Sequence, residues 1–379
     1  MGRFGEGIGV GPGLDVEART AVEQALADLD GPPDLSVVHV CAPDADRAER
    51  ALQVAGEMLG GAVVGCTAAG VVARGRAVEG EASVSVFTAR LPGARLRTFH
   101  LEVMPADEGL AVVGLPERTA VDEVALLLTD PWSFPVEGFV ASAGTNLPGL
   151  ALLGGVASGA GPAGSTRLLV DGRVVDRGAV GVLLAGSGAW PLVSQGCRPV
   201  GPEMTVTAAA GNVVHAVAGV PAVEKVRQVV AALTPPEQAL ASAGLQLGFT
   251  ADEYAEDSDY LVRAVLGTDP GTGGLIVGER VSVGQSVRLQ VRDADVAHEG
   301  LRVLLEASPA AGGALLFSCT GRGSELFGPS YSGAGHDAEQ VRRGLGAEAV
   351  AGFFAAGEIG PVAGRSHLHT FTAAVLAFP

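Results

Sequence analysis

The sequence has few aromatic residues and few basic ones. Phe, Trp and Tyr make up 4% of the 379 residues, so the core must be built mainly from Val, Leu and Ala. Lys and Arg number 25 against 42 Asp and Glu, which gives a net charge of −17. Because binding to nucleic acid depends on clustered positive charge, this balance argues against a nucleic-acid partner.

Cysteines and long apolar runs are also scarce. The four cysteines, Cys41, Cys66, Cys197 and Cys319, form no C-x-x-C motif, so we expect reduced thiols rather than disulfides or zinc-type pairing. The first residues contain no signal-type apolar stretch, and no segment approaches the roughly 20 apolar residues that span a bilayer. We therefore predict a soluble cytoplasmic protein with no membrane partner and no cofactor.

What the chain does contain is a repeated glycine pattern. The hydrophobic fraction is 47%, and 56 glycines punctuate the sequence. Three segments, Gly65–Gly70, Gly154–Gly159 and Gly352–Gly357, fit one template, G-x-x-A-[A/S]-G. Glycine permits positive φ and close approach to the main chain, so each template marks a sharp turn or a binding loop. Three copies predict an internal repeat.

Each template lies within the same succession of predicted elements: strand, helix, strand, glycine turn, strand. The first strands of the three units are expected at Leu35–Cys41, Val124–Thr129 and Ala314–Cys319. We predict an α/β fold of two domains, each with mixed β-sheets flanked by helices and built from these strand-helix-strand-strand units. A fourth, degenerate unit is expected between Leu245 and Arg292. In the third unit, Asp337 and Gln340 are expected to form a capping box.

The predicted domain ranges are 1–32 for an N-terminal segment and helix, 33–219 for a first domain and 220–379 for a second. Residues 1–14 are rich in glycine and are expected to be loose. The boundary follows a predicted hairpin that turns at Gly211-Asn212. A helix from Val223 is expected next, ended by Pro235-Pro236.

The third unit carries the charged residues best suited to bind a ligand. Arg322 follows the strand that ends at Cys319, and Glu358 lies within the glycine-rich stretch Gly352–Gly364. Loops at strand ends are common ligand sites. If both side chains face one cavity, Arg322 would hold a carboxylate and Glu358 an ammonium group, as in a zwitterionic amino acid. The alternative is that Arg322 and Glu358 pair with each other and lock the two loops.

Cys319 raises a different hypothesis, a cysteine-dependent acyl-transfer or hydrolase enzyme with His367 or His369 as base and Glu358 as orienting group. The ordinary role of a cysteine that ends a buried strand is that of a small core residue. His367 and His369 would share one face of a strand, as metal ligands do, but only Glu358 stands out as a third ligand. A scaffold without any ligand is a third possibility.

Two further stretches are interpreted as ordinary loops. The segment Gly267–Gly274 lacks the Lys-Ser/Thr pair of a nucleotide-binding loop and is interpreted as a turn. An acidic group lacks the spacing of an EF-hand and is interpreted as a solvated loop; its members are Asp252, Glu253, Glu256, Asp257 and Asp259.

Several stretches taken together resemble the FIST family. In chain order they are Gly65-Cys66-Thr67, Leu153–Ala157, the hairpin with Pro221-Ala222, Ser318–Gly323 and Gly352–Pro361. The most specific part is C-x-G-R-G followed by G-x-x-x-x-G-E-I-G-P. The likeness extends over nearly the whole chain, so it implies a FIST N-terminal domain followed by a FIST C-terminal domain.

The resemblance implies a noncatalytic sensory protein that binds a small ligand, with amino acids as one candidate class. FIST domains are often fused to bacterial signalling modules or to an F-box, whereas here we expect the signal to pass to a separate, unidentified signalling protein. The expected ligand contacts are Arg322, Glu358, Cys319, Gly321, Gly323, Gly352, Gly357, Gly360, Cys66, Thr67 and His369.

Overall fold

The computed structural model describes residues 2–106, 109–159, 161–250 and 260–379. The chain forms two compact units. The first unit consists of Met1–Ser194, Gly300–Leu368 and Thr372–Pro379, and the second of Gln195–Glu299 and His369–Phe371.

In chain order, the first unit begins with β1 Arg3–Val10, α1 Leu14–Ala27, β2 Leu35–Cys41, α2 Ala45–Met58, β3 Ala62–Thr67, β4 Gly70–Ala73, β5 Arg76–Glu79 and β6 Ser83–Arg90. It continues with β7 Arg95–Ala106, β8 Gly109–Val113, β9 Asp122–Thr129, α3 Val136–Asn146, β10 Ala151–Val156, β11 Leu168–Val170, β12 Arg173–Val175, β13 Ala179–Ala185 and β14 Trp190–Gln195.

The second unit contains β15 Cys197–Ala210, β16 Val213–Val217, β17 Val220–Pro221, α4 Ala222–Ala232, α5 Pro235–Ala243, β18 Leu245–Thr250, β19 Tyr260–Thr268, β20 Leu275–Val277 and β21 Ser286–Arg292. After α6 Ala294–Glu306, the first unit resumes with β22 Gly313–Cys319, α7 His336–Leu345, β23 Ala349–Ala355, β24 Glu358–Val362, β25 Arg365–His369 and β26 Thr372–Phe378.

Three mixed sheets with the same internal order make up the first unit. In each sheet two parallel strands are joined by a helix, and an antiparallel closing strand lies beside the first of them. The sets are β2 and β3 with β6, β9 and β10 with β13, and β22 and β23 with β26. These are the predicted repeat units, and the α/β fold class is confirmed. We call β1–β6 the first repeat, β7–β13 the second, and β14 with α6–β26 the third.

The hairpin that follows each glycine template pairs with the sheet of another repeat. Hairpin β4–β5 of the first repeat pairs with β23, β11–β12 of the second pairs with β3, and β24–β25 of the third pairs with β10. The exchange is cyclic, so every sheet contains strands from two repeats. No repeat can therefore complete its sheet alone.

The inner faces of the three sheets share one hydrophobic core, in which Val37, Leu126 and Leu315 each come from a different sheet. Helices cover the opposite faces: α1 and α2 on the first sheet, α3 on the second, and α6 and α7 on the third. Val, Leu and Ala supply most of this core, as the shortage of aromatic residues predicts, and Phe rings fill its centre.

The first glycine of each template fits closely against a backbone carbonyl of the neighbouring parallel strand. A Cβ on Gly65 would lie 2.5 Å from the Val38 oxygen, and a Cβ on Gly352 would lie 1.8 Å from the Leu316 oxygen. Gly154 meets the carbonyl of its partner strand in the same way, at 1.9 Å. These distances are far below van der Waals contact, so glycine is required for close strand pairing at all three positions.

The expectation that residues 1–14 are loose is wrong, because residues 3–10 form the buried edge strand β1, which pairs with β6. Its glycines allow helix α1 to lie directly on the strand. A Cβ on Gly5, Gly7 or Gly9 would come within 2.3 Å of a carbonyl oxygen of α1. The glycine content that made this segment look disordered is therefore a packing feature.

In the second unit a single antiparallel sheet closes on itself, because β15 pairs with both β21 and β16. The predicted hairpin at Gly211-Asn212 is confirmed as the turn between β15 and β16. The expected fourth repeat is wrong, since β18 to β21 pair only in antiparallel fashion among the described residues. Hydrophobic alternation alone does not distinguish these strands from those of a repeat unit.

Two local features of the second unit also bear on the sequence predictions. Helix α4 ends before Pro235, but that proline also begins α5, which a Thr234–Glu237 capping box stabilises. The glycine-rich loop between β19 and β20 is a turn, in which the Thr272 amide donates to the Asp269 carboxylate at 3.0 Å. The acidic group at Asp252–Asp259 lies outside the described residues, and the predicted boundary near residue 219 stays a prediction.

Replacing Gly352 with alanine tests the close strand pairing. The added methyl group would force β22 and β23 apart, so we expect Gly352→Ala to lower the free energy of unfolding by about 1–3 kcal/mol. Gly138→Ala is the control, because nothing lies within 4 Å of its Cβ position and it sits within α3. Chemical denaturation should show the control unchanged or slightly more stable, by about 1 kcal/mol at most. Equal stability of Gly352→Ala and the wild type would contradict the account.

Candidate functional site

The three glycine templates meet at one place in the first unit. The hydroxyl of Ser158, in the second template, accepts a hydrogen bond from the Ala69 amide at 2.8 Å and donates one to the Phe354 carbonyl. The Ala356 amide of the third template donates to the Val156 carbonyl at 3.0 Å. One serine side chain thus joins the first template to the third.

A cavity of about 330 Å³, which we call the template cavity, lies at this junction. It is lined by Ala42, Asp44, Ala45, Ala48, Thr67, Ala68, Ala69, Pro131, Trp132, Ala157, Ser158, Gly159, Gly161, Ser165, Thr166, Thr320 and Ala356. All three repeats contribute. Most of these residues are small, so the walls consist largely of backbone and hydroxyl groups. The cavity lies beyond the carboxyl ends of the parallel strands, where α/β sheets commonly hold ligands.

Two larger side chains distinguish the template cavity. Asp44 is the one carboxylate among the described lining residues; it caps α2 by accepting a hydrogen bond from the Arg47 amide at 2.8 Å, and its side chain is 51% exposed. Trp132 follows strand β9 and is 59% exposed. An exposed indole beside a carboxylate can bind an ammonium group through its ring face and its charge partner together.

Arg322 lies in the closed interior next to this cavity. Its guanidinium is fully buried and donates two hydrogen bonds to the Asp337 carboxylate, both at 2.8 Å. The ring of Phe327 lies 5.3 Å from the guanidinium carbon, and Ser318 donates to Asp337 at 2.7 Å. Burial favours the protonated form of Asp337, but the charge and hydrogen bonds of Arg322 outweigh it and lower the pKa of that carboxyl.

The expected capping box at Asp337 is therefore wrong. Helix α7 begins after a short 3₁₀ turn and has Gly335 as its N-cap, with no side-chain cap. The Asp337 side chain faces the interior and neutralises Arg322 there. The sequence spacing of a capping box was present, but a buried arginine is a stronger partner for the carboxylate than a backbone amide.

Glu358, the first residue of β24, is also fully buried. One of its carboxyl oxygens accepts hydrogen bonds from the Thr372 hydroxyl at 2.7 Å and the Thr372 amide at 3.2 Å. The other oxygen has no hydrogen-bond partner among the described residues. Burial raises the pKa of Glu358 to about 8, although hydrogen bonds from Thr372 and Cys319 and the charge of Arg322 oppose the shift.

Of the other predicted contacts, one lines the template cavity, and the rest lie on several elements of the chain. Thr67 lines the template cavity, while Cys66 and Cys319 are buried beside it. Gly321 lies in the turn after β22, and its neighbour Gly323 is closely packed against Glu79. Gly352 lies within β23, Gly357 accepts a hydrogen bond from the Val156 amide, Gly360 is packed on Val193, and His369 is the buried last residue of β25. Their roles as ligand contacts stay a prediction.

The cysteines are free thiols, and all four are buried. Burial raises the pKa of the Cys66 thiol. The Cys319 thiol is 5% exposed and hydrogen-bonds with the Glu358 carboxyl. Among the described residues, no group of three or more His, Cys, Asp or Glu side chains has the geometry of a metal site.

The sequence prediction missed Asp44, Trp132, Ser158 and Thr320. Ser158 had a detectable signal, since it occupies the variable [A/S] position of the template, where Ala69 and Ala356 stand in the other repeats. Asp44 directly precedes α2, where ordinary helix capping accounts for an Asp, and Trp132 belongs to no repeated pattern.

Comparison with known protein families shows which family the protein belongs to. The model of the FIST N domain matches residues 34–220, and that of the FIST C domain matches residues 222–361. The chain belongs to the FIST family. FIST domains are, as a class, small-ligand sensory domains of signal transduction.

Proteins similar over nearly the whole chain occur in mycobacteria. An uncharacterized protein of Mycobacterium bovis is 41% identical over 387 residues, which cover 99% of this chain and 98% of the relative. Uncharacterized proteins of Mycobacterium tuberculosis strains CDC 1551 and H37Rv are also 41% identical, over 387 and 388 residues respectively. Within the described part of the FIST chain, no helix is long and apolar enough to cross a bilayer.

The raised pKa of Glu358 predicts a pH-dependent stability. Between about pH 4.5 and pH 8 the folded protein keeps a proton on Glu358 that the unfolded chain releases, so the wild-type free energy of unfolding should fall as the pH rises. Glu358→Gln retains a carbonyl oxygen for Thr372 but cannot ionise. We expect the stability of Glu358→Gln relative to wild type to increase across this range, measured by chemical denaturation. If the difference in the free energy of unfolding between Glu358→Gln and wild type does not change with pH, Glu358 is not a neutral carboxyl in the folded protein.

The buried ion pair predicts a large cost for Arg322→Ala. This change leaves Asp337 charged and unpaired in the interior, so we expect a loss of about 3–5 kcal/mol in the free energy of unfolding. Arg343→Ala removes an exposed partner of Glu339 and is the control, with an expected loss of at most about 0.5 kcal/mol. Similar losses in the two variants would show that the buried pair of Arg322 and Asp337 does not stabilise the fold.

Proposed function

We propose that this FIST protein binds a small ligand in the template cavity and passes the signal to a separate partner protein. The observation that carries the proposal is the meeting of all three glycine templates at one cavity. A ligand there touches every repeat at once, so its binding energy acts directly on the arrangement of the three repeats. The volume of about 330 Å³ lies at the lower end of the range for small-molecule pockets.

The groups around the cavity favour an amino acid or a related small amine. The carboxylate of Asp44 and the ring of Trp132 offer a place for an ammonium group. The hydroxyls of Thr67, Thr166 and Thr320 can donate to a ligand carboxylate.

The proposed ligand lies beside the charged pair of Arg322 and Asp337 in the third repeat, and not between these two side chains. Arg322 and Asp337 neutralise each other in the interior, so a ligand charge is met by groups at the cavity wall. The buried cluster instead supports the loop after β22, which begins at Thr320 on that wall.

A thermal-shift screen of free amino acids, primary amines and small carboxylates tests the proposal. A compound present at a hundred times its dissociation constant should stabilise the wild type by about 2.7 kcal/mol. Thr67→Val and Trp132→Ala should lose most of that gain, because each removes a wall group of the cavity.

Two matched controls complete the screen. Thr268→Val and Leu266→Ala alter exposed residues of β19 in the second unit and should keep the full gain. A gain that survives in Thr67→Val and Trp132→Ala would place the binding site elsewhere. If no compound stabilises the wild type, ligand binding in the template cavity is contradicted for these compound classes.

A further inference from the structure

In the described part of the chain, six strands lie at the edges of the three sheets of the first unit. Five of these edge strands contain a charged residue or a proline, namely Arg3 in β1, Arg76 in β5, Arg173 in β12, Pro191 in β14 and Arg365 in β25. Charges and prolines commonly protect an edge strand from pairing with another chain. Strand β8 contains neither, and among the described residues only β7 pairs with it.

Strand β8 has the composition of a strand inside a sheet. Its four residues after Gly109 are all apolar, and exposed apolar side chains lie on both faces of the two-stranded ribbon that β7 and β8 form. Leu110 is 63% exposed on the face nearer α3, while Val113 and Met104 are 41% and 51% exposed on the opposite face. A docked helix would cover one face, whereas an added strand contributes side chains to both. The exposed residues therefore fit a further strand.

The backbone of β8 directs hydrogen-bonding groups outward at two residues. In an antiparallel ladder, alternate residues direct their N–H and C=O groups toward the partner strand and away from it. Pro105 of β7 is paired with Leu110 and has no N–H to give, so Leu110 and Val112 belong to the residues whose groups point to the free edge. The hydrogen bond from the Asp130 amide to the Gly178 carbonyl, at 2.9 Å, fixes the same alternation through β13 and β7.

These outward groups match a second copy of the same strand. A twofold axis at Ala111 places Leu110 opposite Val112 of the second copy, and Val112 opposite Leu110 of the second copy, so the outward N–H and C=O groups of both residues are paired. The two Ala111 residues then face each other in a closely spaced pair, where their small side chains fit. Because β8 has no charged residue, the pairing brings no like charges of the two strands together.

We propose that two copies of the protein associate by antiparallel pairing of their β8 strands about a twofold axis at Ala111. The inference concerns assembly, and it does not depend on the ligand of the template cavity. The pairing extends the sheet of the second repeat across both copies and covers Leu110 on one face and Val113 on the other. Because β8 is short, the interface is small, and the dimer dissociates on dilution.

Disulfide cross-linking tests the register. All four native cysteines are buried, so an introduced cysteine supplies the accessible thiol. In Ala111→Cys the two Cα atoms would lie about 4.5 Å apart across the axis, within disulfide range. Val113→Cys is the matched control, because it lies on the same face of the same strand and is more exposed, yet its two Cα atoms would lie about 14 Å apart.

After mild oxidation, non-reducing electrophoresis should show a cross-linked dimer for Ala111→Cys and several-fold less for Val113→Cys. Equal or greater cross-linking of Val113→Cys would overturn the proposed register, because the more exposed thiol would then be reacting by random collision.

Sedimentation velocity over a concentration series tests the backbone pairing. Leu110→Pro removes an outward N–H that β7 does not use, and proline is tolerated at such an edge position. We expect this variant to raise the dissociation constant of the dimer by about tenfold, because each copy loses one hydrogen bond across the axis.

Leu110→Val is the control for Leu110→Pro, since it keeps the N–H and an apolar side chain, and it should dimerise nearly as the wild type does. Thermal unfolding verifies that both variants are folded. A wild type that stays monomeric at every concentration would overturn the proposal, and so would a Leu110→Pro variant that dimerises as tightly as the wild type.

Discussion

The cyclic exchange of hairpins is the constraint on which the first unit depends. Each repeat sends the hairpin after its glycine template to the sheet of another repeat, so the three templates must cross near one another. The Ser158 hydroxyl fixes that crossing by bonding to backbone groups of both other templates. The template cavity is the space that remains where the three template segments, which consist mostly of small residues, turn away from their own sheets.

The glycines make this crossing possible at two levels. At the start of each template, glycine allows the parallel strands to pair without a Cβ against the partner carbonyl. Along β1, glycines at alternate positions let α1 rest on the strand backbone. The shortage of large side chains is thus matched by close approach of backbones, which maintains packing density in a core with few aromatic rings.

The sequence predicted the repeats well because they are encoded locally, by apolar strands such as Leu35–Cys41 and by the template itself. It failed where residues distant in sequence compete for the same group. Asp337 has the spacing of a helix cap, yet it is bound by Arg322 across a loop of the fold. Likewise, Ser158 gains its role only from the hairpin exchange, which no local sequence pattern indicates. The glycines of β1 suggest a loose segment when read alone, because their packing partner is a helix that comes later in the chain.

Burial determines what the charged residues of the third repeat can do. Arg322, Asp337 and Glu358 are buried, so they stabilise the loops behind the cavity. The exposed residues Asp44 and Trp132 belong to the first and second repeats. The most direct test of the convergence of the three templates is hydrogen exchange of Ser158→Ala against wild type. We predict faster amide exchange both near Ala69 and near Ala356, with residues 222–232 of α4 unchanged. Faster exchange confined to the second template would contradict the account.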